Sequence, residues 1–185
     1  DWNRFMKFHQ QKQGWITLFG HPNSHPYDSD VIVTDSDCKV IRIESKNIER
    51  DFYYHNFVNA GIYCVSPEIL AQIETPKKID LEKNLIADFI PKEKVYAYRS
   101  MEYVKDMGTP ERLQLVTEDV KRGLVASRSL KNRQRAIFLD RDGTINVLRG
   151  FLTRVEDFEM LAGVSEAIKK INSSDYLTIV ATNQP

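Results

Sequence analysis

The chain has 185 residues, with 26 Lys plus Arg against 26 Asp plus Glu, so its formal net charge is zero. That balance argues against a general binder of nucleic acid or anionic membranes, which would carry a basic excess. Hydrophobic residues make up 42% and charged residues 28%, a mix that supports a folded core and excludes wholesale disorder. The longest apolar runs, residues 136–139 and 177–181, are far too short to cross a bilayer. Cys38 and Cys64 cannot build a disulfide framework, and no Cys/His group has zinc spacing, so a reduced, cytoplasmic compartment is expected. The first residues, DWNRFMKFHQQKQG, do not start with Met and hold no signal-peptide apolar stretch, which reads as the interior of a longer protein.

Helical periodicity opens the chain at residues 3–11, and a strand follows at 15–19. Further strands are predicted at 30–34, 40–43, 61–66 and 94–98, bounded by Gly, Pro, Asn and Asp. Helices are expected at 67–73, 81–90 and 110–122. The last of these has Thr109 as its N-cap candidate, Pro110 at the first helical position, Glu111 in the first turn and Gly123 as its stop. Residues 124–134 are small, polar and basic and read as a solvated linker or helix tail. After them come an apolar strand at 136–139, a helix at 164–171 and an apolar strand at 177–181. Two strands joined through a helix make a βαβ unit and a parallel sheet.

The strand at 136–139 runs straight into Asp140-Arg141-Asp142-Gly143-Thr144. Ligands of open α/β sheets sit at the carboxyl ends of strands, which is where Asp140 falls. One such carboxylate can attack phosphorus while its neighbour moves protons, and the pair would suit Mg²⁺ with phosphate. The second strand ends in Thr182-Asn183-Gln184, bringing a hydroxyl and backbone N–H groups to the same sheet edge. Taken alone, two Asp in a tight loop are equally well an Asx-rich turn.

The full string AIFLDRDGTIN, then GFLTRVEDFEMLAGVSEAI, then LTIVATNQP, closely resembles the haloacid dehalogenase superfamily of phosphohydrolases, within it the heptose bisphosphate and histidinol-phosphate phosphatase group. The resemblance covers residues 135–185. It implies Asp140 as nucleophile and metal ligand, Asp142 as general acid/base with its carbonyl on Mg²⁺, and Thr182 and Asn183 on the transferred phosphoryl group. A third-motif Lys and fourth-motif acidic residues belong beyond the second motif in that family. The expectation is therefore half a phosphatase site, without turnover from these residues alone.

The earlier part resembles a different enzyme. NAGIYCV at 59–65, YVKDMGTPERL at 103–113 and HPNSHPYDSD at 21–30 are similar to the carboxy-terminal half of sugar-1-phosphate nucleotidylyltransferases, in the branch that makes a GDP-heptose. The likeness implies Asn59, Gly61, Glu82 and Lys83 at the sugar, and Asp106 as a ligand of Mg²⁺ beside the phosphates of GTP and a sugar 1-phosphate. Amide and carboxylate groups suit sugar hydroxyls, and Gly61 would let the backbone approach closely. Without the likeness, Asn59-Ala60-Gly61 is a turn before a strand, and Asp106-Met107-Gly108 a loop leading to the Thr109 cap. His21 and His25 read as ligands or as surface histidines, and Phe52-Tyr53-Tyr54 reads as core or edge packing. The family's Gly-rich loop and first metal Asp would lie before Asp1, so poor GTP binding is expected of these residues alone.

The fold class expected is thus α/β: the carboxy-terminal part of a nucleotidylyltransferase Rossmann-like domain at 1–123, a linker at 124–134, and the first βαβ unit of a haloacid dehalogenase-like domain at 135–185. The partners expected are small-molecule substrates, GTP and sugar phosphates, with no nucleic acid and no membrane. A mannose-1-phosphate enzyme with the same folds, or a non-catalytic folded module, are the competing readings.

Overall fold

A computed structural model describes residues 1–71 and 80–184. The end of the helix expected at 67–73 and the final Pro185 lie outside the described residues. The chain divides into two compact units, Asp1–Val104 and Lys105–Pro185. The division falls before the helix that starts at Pro110.

The first unit is built on a mixed five-stranded sheet in the order β3-β2-β4-β1-β5. Its strands are β1 (Ile16–His21), β2 (Val31–Thr34), β3 (Val40–Glu44), β4 (Val58–Val65) and β5 (Val95–Arg99). β1 runs parallel to β5, with Ile16 opposite Val95, and antiparallel to β4. Residues 16–20 are all buried, so β1, paired on both sides, is buried on both faces rather than alternating. Helix α1 (Trp2–Lys12) is capped by the Asp1 carboxylate, which accepts from Asn3 N at 3.1 Å and Arg4 N at 3.3 Å. It buries Phe5, whose ring meets Phe19 at 5.4 Å and Tyr98 at 5.6 Å.

Helix α2 (Pro67–Leu70) and the segment after Asp80 add Ile69, Ile86 and Phe89 to the same core. The single helix expected at 81–90 is a π-helical turn (Leu81–Ile86), a short α3 (Ala87–Phe89) and a 3₁₀ turn (Ile90–Lys92). Asp80 caps its start through Glu82 N and Lys83 N, both at 3.0 Å. Pro91, which lacks a backbone donor, ends regular helix at the other side.

The second unit contains α4 (Pro110–Lys121), α5 (Leu124–Ser127), β6 (Arg135–Leu139), α6 (Val164–Asn172) and β7 (Tyr176–Val180). Thr109 caps α4 as the sequence indicates, its hydroxyl accepting from Arg112 N at 3.3 Å. Gly123, at φ +76°, turns the chain out of α4, and α5 occupies the start of the stretch read as a linker. β6 and β7 pair in parallel from Arg135↔Tyr176 to Leu139↔Val180, which completes the expected βαβ unit. Among the described residues of this unit only Ile145 and Asn146 are buried, while Phe138, Leu148, Phe151 and Val155 are exposed. Mixed α/β architecture is therefore what the alternation of elements anticipated. No helix among the described residues is long and apolar enough to cross a membrane.

Candidate functional site

Two clusters, one in each unit, hold most of the residues singled out above.

In the second unit, β6 delivers Asp140 to the carboxyl end of the parallel pair, where Ala181 N still bonds to Leu139 O at 2.9 Å. The chain then wraps around one carbonyl: Thr144, Ile145 and Asn146 N–H all donate to Arg141 O, at 3.3, 2.8 and 3.1 Å. Gly143 sits at φ +81° to allow the wrap, a backbone region that other L-residues enter at a cost. Asp140 Oδ1 accepts from Arg141 N at 2.8 Å. Asp142 is gripped more fully. Arg141 Nε and Nη2 reach its two oxygens at 3.0 and 2.8 Å, Asn146 Nδ2 donates at 3.2 Å, and Gln184 Nε2 donates at 3.2 Å. Arg141 holds the Asp142 carboxyl below the usual carboxylate range, and the bonds from Asn146 and Gln184 act in the same direction.

Gln184 also accepts from Arg141 Nη2 at 2.8 Å and donates to Thr182 Oγ1 at 2.7 Å. The first and second motifs, some 40 residues apart in sequence, thus meet through Gln184. Thr182 and Asn183 are exposed beside it. Arg141, Asn146 and Gln184 were assigned no role from sequence. Gln184 could have been found as the third member of its motif, whereas Asn146 carries no signal before its burial is known.

In the first unit, Asn59 and Glu82 come together although 23 residues separate them. Asn59 Nδ2 donates to Glu82 Oε1 at 2.8 Å and to Tyr63 Oη at 2.8 Å, and the Tyr63 hydroxyl in turn donates to Glu82. The strand makes this possible by bulging: Leu18 faces Tyr63 and Gly20 faces Asn59, so one residue of β1 opposes three of β4. Gly61 lies in the bulge at φ +71°, and its N–H donates to Asn59 Oδ1 at 3.2 Å. Burial, reinforced by the Glu82 contact, pushes the Tyr63 hydroxyl well above its ordinary range. Tyr63 was not foreseen; its place in NAGIY reads as an ordinary strand aromatic. Lys83 is exposed, and its backbone N–H is taken by the Asp80 cap.

Asp106 belongs to the second unit and is exposed. One of its oxygens accepts from Gly108 N at 2.8 Å, and the other pairs with Arg112. His21 Nδ1 meets the Pro22 carbonyl at 2.9 Å, and His25 begins a 3₁₀ turn on the surface. Among the described residues no group of three or more His, Cys, Asp or Glu is placed to hold a metal ion. Asp140 and Asp142 remain a two-carboxylate donor set, which suits Mg²⁺ because that ion takes one or two carboxylates and completes its shell with water and phosphate oxygens.

No family model matches the chain. Part of it is similar to D-glycero-beta-D-manno-heptose-1,7-bisphosphate 7-phosphatases. It is 41% identical over 51 residues to that of Haemophilus ducreyi, covering 28% of this chain and 28% of the relative. It is 43% identical over 53 residues to that of Helicobacter pylori (29% and 31%) and 47% identical over 49 residues to that of Salmonella typhi (26% and 26%). The chain spans less than a third of the curated relatives it matches. A solved Bacillus anthracis structure, assigned as a glucose-1-phosphate thymidylyltransferase, aligns over 62% of this chain and 47% of its own at 14% identity and a TM-score of 0.49, a likeness too slight to assign a fold.

Proposed function

We propose that residues 135–185 are the nucleophile-bearing part of a sugar-bisphosphate phosphatase acting on a heptose 1,7-bisphosphate. The observation that carries this reading is the meeting of the two motifs, with Gln184 bridging Arg141 and Asp142 at the open end of β6 and β7. The matching stretches of the heptose phosphatases have about the length of this segment.

In the proposed reaction the Asp140 carboxylate attacks phosphorus in line, the P–O bond to the sugar breaks, and the sugar oxygen takes a proton from Asp142. Asp142 then withdraws a proton from the water that cleaves the acyl phosphate, which releases inorganic phosphate and restores Asp140. Mg²⁺, held by Asp140 and the Asp142 carbonyl, would neutralise charge on the phosphoryl oxygens. Arg141 keeps Asp142 ionised as long as it pairs with it, so proton donation requires the guanidinium to turn toward the incoming phosphate. Thr182 and Asn183 are the groups proposed to orient that phosphate.

For the first unit we propose sugar-phosphate recognition in a nucleotidyl transfer. The support is the contact between Asn59 and Glu82, two residues the resemblance selected independently. Asp106 is proposed as a Mg²⁺ ligand, a role in which its carboxylate would exchange Arg112 for the metal. The joint reading is nucleotide-heptose synthesis by a longer bifunctional protein in the cytoplasm, with GTP and sugar phosphates as substrates.

Asp140→Asn in the full-length protein tests the phosphatase reading, because it removes the nucleophile while nearly preserving volume. Phosphate release from heptose 1,7-bisphosphate is expected to fall by several orders of magnitude, with guanylyl transfer and melting temperature unchanged. Undiminished phosphate release would remove Asp140 from the chemistry.

A further inference from the structure

A second region of the first unit carries chemistry that neither motif uses. Phe52-Tyr53-Tyr54, expected as core or edge packing, leaves two of its rings exposed: Tyr53 is 82% exposed and Phe52 41%. With His55 and with Ile32, Val33 and Thr34 of β2 they line a cleft of about 120 Å³.

The polar groups lining this cleft include two arginines. Arg42, Arg99 and His55 line it together with Thr34, and among the described residues no Asp or Glu does. Arg42 spends its Nε on Glu44, which is outside the lining, and its two terminal nitrogens have no partner among the described residues. The Arg99 side chain has neither a hydrogen bond nor an ion pair among the described residues, although its backbone belongs to the β1–β5 ladder. Its guanidinium lies 4.6 Å from the centre of the Phe57 ring. Phe57 in turn is locked over Gly20, where a Cβ would come within 2.0 Å of its ring. Gly20 and Arg99 are themselves register partners across β1 and β5. The ring beneath Arg99 is therefore fixed in place, while the guanidinium above it is exposed and open to a ligand. His55 is held from the other side by Tyr53, whose hydroxyl is 3.3 Å from Nδ1.

Two guanidinium groups line the one cleft, with Glu44, the carboxylate partner of Arg42, outside its lining, and a guanidinium fork matches the oxygens of a phosphoryl group. Tyrosine and threonine hydroxyls supply further donors. We propose that this cleft is a binding site for a phosphoryl oxyanion, formed by Arg42, Arg99 and His55 and separate from both Asn59–Glu82 and Asp140–Asp142. The cleft has the volume for a tetrahedral anion with some of its water, at about 30 Å³ per water. Free phosphate and a phosphate ester share this chemistry.

The test is titration of the chain with inorganic phosphate, followed by NMR of backbone amides and of the Tyr53 and His55 rings, against sodium chloride at equal ionic strength. Saturable shifts at residues 32–34 and 52–55 are expected with phosphate and not with chloride. Arg99→Gln and Arg42→Gln should each weaken binding about tenfold or more, since each removes a charge-assisted contact. Circular dichroism verifies the fold of each variant, and should Arg99→Gln unfold through loss of its Phe57 contact, the exposed Arg42→Gln carries the result. A small phosphate ester, glycerol 3-phosphate, distinguishes the sources: competition with inorganic phosphate means an ester is accepted, and failure to compete means the site takes the free ion. Shifts confined to residues 140–146, an unsaturable response, or unchanged affinity in Arg42→Gln would overturn the proposal.

Discussion

At the scale of single residues, the two glycines on either side of the β1–β4 bulge do different jobs. Gly20 is required by space, because any side chain would collide with the Phe57 ring. Gly61 is required by backbone, since it sits at φ +71° with nothing within 4 Å of where a Cβ would be. Gly20→Ala should therefore destabilise by about 3 kcal/mol or more, because Phe57 is buried and cannot move aside without disturbing the core. Gly61→Ala should cost only about 1 kcal/mol, the ordinary penalty of a left-handed alanine. Urea unfolding of both variants checks the order, and equal losses would show that Phe57 can rotate away. Asn59 and Gly61 were singled out in one motif and Glu82 in a separate segment, but nothing in the string indicates that Tyr63 would bond to the Glu82 carboxylate.

At the scale of elements, the loop before α4 tests what the Asp106 carboxylate does when no ligand is bound. Thr109 provides the cap and Asp106 reaches the next turn through Arg112. Thr109→Ala should lower stability by about 1 kcal/mol, the usual cost of an N-cap. Asp106→Asn should cost less than about 0.5 kcal/mol, because both partners of its ion pair are exposed and Asn still accepts from Gly108 N. Measuring both by chemical denaturation, with Mg²⁺ titrated into the full-length Asp106→Asn transferase assay, separates loop shape from metal binding. A large stability loss for Asp106→Asn in the absence of Mg²⁺ would make its role structural. Helix α4 was readable almost to the residue because its cap, its first-turn proline and its glycine stop are all local signals. The break at Leu81–Ile86 was not, since a π-helical turn and an α-helix share the same apolar spacing over so few residues.

At the scale of the molecule, the two units differ in how they hold together. The first has a sheet covered by aromatic and branched side chains, and it contains both histidines whose ordinary values are displaced. Burial lowers His9 and His21 below their usual 6.5. His9 Nδ1 meets Thr17 Oγ1 at 2.8 Å, tying α1 to β1. A histidine that the fold keeps neutral stabilises the protein above its unfolded value, and that stabilisation is lost as the pH falls through the lowered folded values. The urea midpoint should therefore drop between pH about 7.5 and about 5.5, where few carboxylates titrate. A His9→Gln/His21→Gln double variant should flatten the dependence, and an unaltered slope would assign it to other groups.

The sequence by itself determined the local facts. It indicated most of the strands and helices, though not the break at residues 81–92 or α5, together with the cap of α4, the βαβ unit, and the acidic loop after β6. Each of these depends on residues within a few positions of one another, where periodicity, capping and turn chemistry operate. Only the tertiary structure decided that Gln184 reaches Arg141 and Asp142, that Tyr63 joins Asn59 to Glu82, and that Arg42, Arg99 and His55 share one cleft. Those contacts join positions far apart in the chain. They follow from strand register, from a bulge that re-aims two side chains, and from a phenylalanine that fits only over a glycine, and none of these leaves a periodic trace in the string.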